Sequence, residues 1–154
     1  MSDSFIRTEM LLVSDAMEKL KNARVAVFGV GGVGGYTVEA LARCGVGTLD
    51  IIDNDTVAES NLNRQIIATI DAVGKYKVDV ARQRILSINP KCTVNAYGTF
   101  YLPENADEFD FGAFDYVVDA IDTVTGGMLQ NNMIYLDYSA NTPANETVLA
   151  RFVE

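Results

Sequence analysis

The chain has 154 residues, 49% of them hydrophobic and 21% charged, and this length and composition predict one soluble globular unit. Histidine is absent and the two cysteines, Cys44 and Cys92, lie far apart, which excludes a His-based catalytic triad and a Cys/His zinc site. The net charge of −9 arises in the last third, since residues 104–154 carry ten acids and one base whereas residues 1–103 carry eleven of each. Such an acidic surface argues against DNA binding and leaves any RNA contact to basic patches of the balanced part.

The sequence contains no targeting or membrane signal. No apolar run reaches 18 residues and no secretory signal opens the chain, which predicts a cytoplasmic protein with no membrane partner. Both cysteines are interpreted as ordinary packing residues.

The first half of the chain has the pattern of a βαβ unit. "RVAVFGV" (24–30) is a short apolar run that predicts a strand buried on both faces. The following stretch predicts a helix that ends at Gly45, and "TLDIID" (48–53) predicts the second strand. A strand, a glycine loop, a helix and a second strand in this order are typical of a parallel sheet.

The remaining elements extend that sheet. Residues 54–74 are polar and predict a long loop, residues 75–88 have helical spacing, and residues 93–100 and 116–121 read as a third and a fourth strand. We therefore predict the α/β class, with a Rossmann-like, doubly wound, mainly parallel sheet. Residues 133–139, "MIYLDYS", are apolar enough to add a strand to the exposed sheet edge or to swap into a partner chain.

A glycine loop follows the first strand directly. Gly29, Gly31 and Gly34 match the pattern G-x-G-x-x-G, and Gly32 adds a further glycine just before the predicted helix. Glycines allow backbone N–H groups to approach a phosphate, which the helix amino terminus also attracts. Asp53 ends the second strand, where a carboxylate can accept hydrogen bonds from ribose hydroxyls. These features predict a nucleotide site but do not choose between ATP and NAD.

Charged residues farther along favour ATP. Arg64 and Lys77 follow the second strand, and a triphosphate that is about to be split needs such cations more than a dinucleotide does. Asp119 and Asp122 end the fourth strand, at the edge where the glycine loop lies, and an acid beside a triphosphate can hold Mg²⁺. The alternatives are that Arg64 and Lys77 are solvated surface cations and that Asp119 caps a turn.

Four stretches together resemble one family. "RVAVFGVGGVGG", "DIIDNDTVAESNLNRQI", "GKYKVDVA" and "YVVDAIDT" resemble the ThiF/HesA/MoeB family, bacterial relatives of ubiquitin-activating enzymes that adenylate a carboxyl group with MgATP. Within it, "VEALARCGVG", "RILSINP" and "DYVVDAIDTVTG" are most similar to the TcdA branch, the tRNA threonylcarbamoyladenosine dehydratases. The resemblance covers residues 5–126.

The resemblance implies roles for individual residues. It places ATP against the glycines and the acids that follow them, and against a loop of the form Asn-x-x-Arg-Gln. The implied cofactor-binding set is Gly29, Gly31, Gly32, Gly34, Asp53, Asp55, Asn61, Arg64, Gln65, Lys77 and Asp122. Asp122 is the implied Mg²⁺ ligand, and Arg64, Lys77 and Arg7 are the implied catalytic residues. Arg7 matches an arginine that reaches into the partner subunit's ATP site, which implies a homodimer.

The implied reaction is attack by a carboxylate on the α-phosphate of ATP, which yields an acyl-adenylate and pyrophosphate. In the TcdA branch the carboxyl group belongs to a modified adenosine of tRNA, and the resemblance also implies a cysteine desulfurase or other sulfur-transfer protein as a partner. Two other hypotheses remain open: a vestigial nucleotide site in a dimerisation or sulfur-transfer module, and an NAD-dependent oxidoreductase. Only the ATP hypothesis requires Arg64 and Lys77.

The resemblance changes near the end of the chain. From Met133 onward, "MIYLDYSANTPANETVLARFVE" resembles the amino terminus of a NifS-type cysteine desulfurase. We therefore divide the chain into an adenylation domain (1–126), a junction (127–132) and a desulfurase-like fragment (133–154). This division predicts a truncated adenylation domain that binds MgATP but is incomplete for turnover.

Overall fold

The computed structural model describes residues 3–12, 14–121 and 133–135. From residue 24 to residue 97, strands and helices alternate as the sequence predicts. The elements are α1 Ile6–Leu11, α2 Ser14–Asn22, β1 Arg24–Phe28, α3 Gly32–Cys44, β2 Thr48–Ile52, α4 Lys77–Ile88, β3 Thr93–Tyr97, β4 Tyr116–Asp119 and β5 Met133–Tyr135. Within the described residues, no helix is both long enough and apolar enough to cross a bilayer.

Within the described residues, the sheet has five strands in the order β3-β2-β1-β4-β5, and neighbouring strands pair in parallel. The register sets Phe28 of β1 beside Ile52 of β2 and Asp119 of β4, so these three strands end together. The strand order reverses between β1 and β4. In open α/β sheets, ligands bind at such a switch point, outside the carboxyl ends of the strands. The predicted α/β, Rossmann-like, parallel sheet is confirmed.

Each face of the sheet has its own core. On one face, aliphatic residues of the strands pack against α3 and α4, with Ile51, Val38 and Ile85 all fully buried. On the other face, Phe28 meets the rings of Tyr101 and Phe109 edge-on at 5.0 and 5.5 Å. Among the described residues, this second layer consists of 3₁₀ turns between β3 and β4 instead of an α-helix.

The ends of the strands differ slightly from the prediction. β1 stops at Phe28 because Gly29 turns the chain out of the strand at φ +86°. The C-cap of α3 is Gly45, as predicted. Met133–Tyr135 pairs in parallel with β4, which agrees with an added edge strand, and the rest of the desulfurase-like fragment lies outside the described residues.

Candidate nucleotide-binding site

Two glycines of the loop are required by packing alone. A Cβ atom at Gly29 would lie 2.5 Å from the carbonyl oxygen of Ala120, at the end of β4. A Cβ atom at Gly34 would collide with the carbonyl oxygen of Gly29, a backbone atom that cannot move aside. These glycines let α3 approach β1 and β4 closely, so they shape the turn and do not themselves indicate a ligand.

The other two glycines face open space. Among the described residues, a Cβ atom at Gly32 would meet nothing within 4 Å, and one at Gly31 would meet only the Gln65 side chain, at 3.6 Å. Gly31 is the N-cap of α3, and in the described structure no side chain caps that helix and no acid lies in its first turn. Its first backbone N–H groups are therefore available to an anion, which the helix dipole also favours.

Asp53 connects this loop to the next segment. Its Oδ2 accepts a hydrogen bond from the N–H of Val30 at 2.7 Å, and its Oδ1 accepts one from the N–H of Asp55 at 2.8 Å. The carboxylate is thus fixed beside the glycine loop, and each oxygen keeps a lone pair that a ribose hydroxyl could use.

The segment after Asp53 buries polar side chains. Asn61 and Gln65 are each 8% exposed, and Asn61 Oδ1 accepts the N–H of Ala58 at 2.9 Å. Gln65 lies over Gly31, and its buried Oε1 has no hydrogen-bond partner among the described residues. A buried polar atom without a partner lowers stability. Gln65 Oε1 is therefore suited to accept a hydrogen bond from a ligand.

Two cations from this segment have different environments. Lys77, the first residue of α4, is buried, and its Nζ lies 2.8 Å from Asp55 Oδ2. Arg64 is exposed, and its Nη1 donates to the carbonyl oxygen of Ser60 at 2.7 Å. The surface-cation alternative is therefore wrong for Lys77, whereas the exposure of Arg64 agrees with both readings.

Three further predicted site residues are Asp119, Arg7 and Asp122. Asp119 is buried and its Oδ1 accepts the N–H of Ile121 at 3.1 Å, which agrees with a turn-capping role. Arg7 is exposed on α1. Asp122, the predicted Mg²⁺ ligand, lies outside the described residues, and the described residues contain no cluster of His, Cys, Asp and Glu suited to a metal ion.

The cysteines are only partly as predicted. Cys92 is buried, and burial raises the pKa of its thiol to about 11, which agrees with a packing role. Cys44 ends α3 and is exposed, so its interpretation as a packing residue is wrong.

The sequence analysis also missed the ion pairs of Glu39, which bear on the site. Glu39 of α3 is 8% exposed and accepts hydrogen bonds from Arg84 of α4 at 2.8 and 2.9 Å and from Arg43 at 2.6 Å. The pKa of the Glu39 carboxyl is lowered, first by the hydrogen bond from Arg84. Because α3 begins at the glycine loop and α4 begins at Lys77, this contact fixes the two sides of the site relative to each other.

The sequence is similar to those of one known protein family. The sequence model of the ThiF family matches residues 6–144. The chain belongs to the ThiF family. The match runs past the junction at 127–132, and the division of the chain there stays a prediction.

Two of the similar proteins are tRNA threonylcarbamoyladenosine dehydratases. A tRNA threonylcarbamoyladenosine dehydratase of Bacillus subtilis is 47% identical over 125 residues, which cover 80% of this chain and 49% of the relative. The crystal structure of the Escherichia coli enzyme TcdA in complex with ATP shares 40% identity and a TM-score of 0.78, over 81% of this chain and 53% of that one. A probable adenylyltransferase/sulfurtransferase of Mycobacterium tuberculosis, MoeZ, is 41% identical over 122 residues, which are 79% of this chain and 31% of the relative. The chain thus spans about half the length, or less, of these proteins.

Proposed function

We propose that this ThiF-family chain binds MgATP, as the nucleotide-binding part of an enzyme that adenylates a carboxyl group. The observation that carries the proposal is the buried ammonium group of Lys77 on the segment that also lays Gln65 over the glycine loop. A buried cation is expensive unless anions compensate it; Asp55 supplies one carboxylate, and a triphosphate supplies further anionic oxygens. The 40% identity to a protein solved with ATP supports the same ligand.

Each group has a role in this proposal. The N–H groups at the start of α3, beside Gly31 and Gly32, bind a phosphate, and Asp53 accepts hydrogen bonds from the ribose. Arg64 and Lys77 neutralise the phosphate oxygens as charge moves onto the departing pyrophosphate. Asp122 would hold the magnesium ion, which helps to neutralise the same charge.

The proposal also covers the substrate and the partners of the reaction. The names of the relatives favour a carboxyl group on a modified tRNA as the group to be adenylated, with a sulfur-transfer protein as a further partner. We place the reaction in the cytoplasm. A pyrophosphate-release assay with modified tRNA tests the substrate separately from ATP binding.

Calorimetric titration tests the nucleotide. We expect MgATP to bind, AMP to bind more weakly, and NAD to show no comparable heat. Arg64→Ala should weaken ATP binding by about 10- to 100-fold, because a hydrogen bond between charged groups contributes about 1.5–3 kcal/mol. Arg82→Ala, which removes an exposed arginine from α4, is the matched control and should leave binding unchanged. Binding of NAD but not of ATP would support an oxidoreductase, and the absence of binding of all three nucleotides would support a vestigial site.

A homodimer is the second part of the proposal. Helix α1, which carries Arg7, exposes Met10 and Leu11 by 77% and 86% of their surface. Exposed apolar side chains on one short helix suit a contact with a second copy, which would bring Arg7 to the partner's ATP site. Light scattering should give the mass of a dimer, and the Met10→Ser/Leu11→Ser variant should give that of a monomer. A monomeric parent protein would contradict this part.

A further inference from the structure

Asp55 and Lys77 form an uneven ion pair at the site. Asp55 Oδ2 lies 2.8 Å from Lys77 Nζ, and the lysine side chain is 6% exposed whereas that of the aspartate is 60% exposed. Among the described residues, Asp55 is the one acid recorded in an ion pair with this lysine. The carboxylate therefore compensates a buried ammonium group and is itself largely in solvent.

The backbone holds the pair in place. The N–H of Lys77 donates to the carbonyl oxygen of Asp55 at 2.9 Å, and the neighbouring residues Thr56 and Tyr76 form an antiparallel bridge. The N–H of Asp55 in turn donates to Asp53 Oδ1. A path of hydrogen bonds thus runs from the glycine loop through Asp53 and Asp55 to the lysine.

Asp53 and Asp55 occupy different positions on that path. Asp53 has both oxygens directed at backbone N–H groups, one of them in the glycine loop, so it lies beside the nucleotide's expected position. The recorded side-chain contact of Asp55 is with Lys77. The ammonium group has three donors, so two remain for phosphate oxygens while the third stays on Asp55.

We propose that Asp55 is a positioning residue: it orients the ammonium group of Lys77 toward the triphosphate and makes no contact of its own with the nucleotide. This replaces the reading of Asp55 as a nucleotide ligand, and it rests on the proposed function. Lys77 acts on phosphates beyond the first, so the loss of Asp55 weakens ATP binding and leaves AMP binding nearly unchanged.

A double-mutant cycle with the 154-residue chain tests this, with Kd values for MgATP and AMP from calorimetry. Asp55→Ala should weaken ATP binding about tenfold and AMP binding less than about twofold, since tenfold is the loss expected for one charge-assisted contact. In a Lys77→Met background, Asp55→Ala should have no further effect, because the lysine through which it acts is gone. Asp55→Asn keeps an acceptor for Lys77 and should restore most of the ATP affinity.

The control is Asp79→Ala, which removes an exposed acid from the first turn of the same helix and should leave the ratio of ATP to AMP affinity unchanged. Thermal unfolding shows which variants are folded, and Asp55→Ser, which also removes the carboxylate, replaces Asp55→Ala in the cycle if that variant does not fold. Equal losses for ATP and AMP, an unchanged or tighter Kd for ATP, or a full Asp55→Ala effect in the Lys77→Met background would each overturn the positioning role and leave ATP binding intact. A parent chain that binds no ATP would overturn the proposed function and this role together.

Discussion

The glycine loop (residues 29–34) and the segment 54–77 both lie beyond the carboxyl ends of the strands, but different forces hold them. The loop depends on close backbone approach, since Gly29 and Gly34 leave no room for a Cβ atom. The segment depends on buried polar groups, among them Asn61, Gln65 and Lys77. One side of the site is therefore fixed by shape. The other side carries the Lys77 ammonium group and Gln65 Oε1, which has no hydrogen-bond partner among the described residues and can accept one from a ligand.

The largest expected effect is on the side fixed by shape. Gly34→Ala should lower the free energy of unfolding by about 3 kcal/mol or more, because its methyl group collides with the carbonyl oxygen of Gly29. Gly32→Ala is the matched control, since that methyl group meets nothing within 4 Å in the part of the chain that the structure describes, and it should lower the free energy of unfolding by less than about 1 kcal/mol. Urea denaturation measures both, and similar losses would refute the division of the glycines into packing and open positions.

A medium effect is expected on the polar side. Gln65→Met removes the unpaired Oε1 at nearly constant volume, so it should leave stability unchanged or raise it by about 1 kcal/mol. The same variant should weaken ATP binding about tenfold, because the ligand loses a polar contact. Gln83→Met, on the exposed face of α4, is the control and should change neither quantity. If Gln65→Met were destabilised but bound ATP normally, Gln65 would contribute to folding and not to ATP binding.

The smallest effect concerns the contact that joins the two sides. Arg84 lowers the pKa of Glu39 below its ordinary value of 4.5, so the ionised carboxylate stabilises the fold above that pH, and this contribution disappears as the pH falls through the lowered pKa. Glu39→Gln should therefore lower the free energy of unfolding by about 1 kcal/mol at pH 7. The effect is small because Arg43 and Arg84 are both partly exposed to solvent. Urea denaturation of the parent chain and of Glu39→Gln should show a smaller difference in free energy of unfolding in strong acid than at pH 7. If this difference in free energy of unfolding did not depend on pH, the ionised Glu39 carboxylate would not be what stabilises the fold.

Local patterns predicted most of the fold and much of the site. The place of Asp53 at the end of the second strand predicted that this acid would lie at the nucleotide site with the glycine loop, and the hydrogen bond from Val30 agrees with it. Short apolar runs placed the strands, because strands buried on both faces are continuously apolar.

The missed features depend on tertiary contacts. Asp55 and Lys77 are 22 residues apart, and Glu39 and Arg84 are 45 apart, so no local pattern pairs them. Asp50 is fully buried within a strand, where it accepts two hydrogen bonds from Arg24 at 2.8 Å, although an acid in an apolar run suggests an exposed position. The covering of the second sheet face by 3₁₀ turns was equally hidden, because "PENADEFDFGAFD" has no clear helical or strand period.

A crystal structure of this chain with a non-hydrolysable ATP analogue and Mg²⁺ tests the central claim most directly. We expect a phosphate against the N–H groups at Gly31 and Gly32, the ribose against Asp53, and the outer phosphates within hydrogen-bond reach of Lys77 and Arg64. A nucleotide bound with its phosphates away from Lys77 and Arg64, or a site that stays empty at saturating analogue, would contradict the assignment of this site to MgATP.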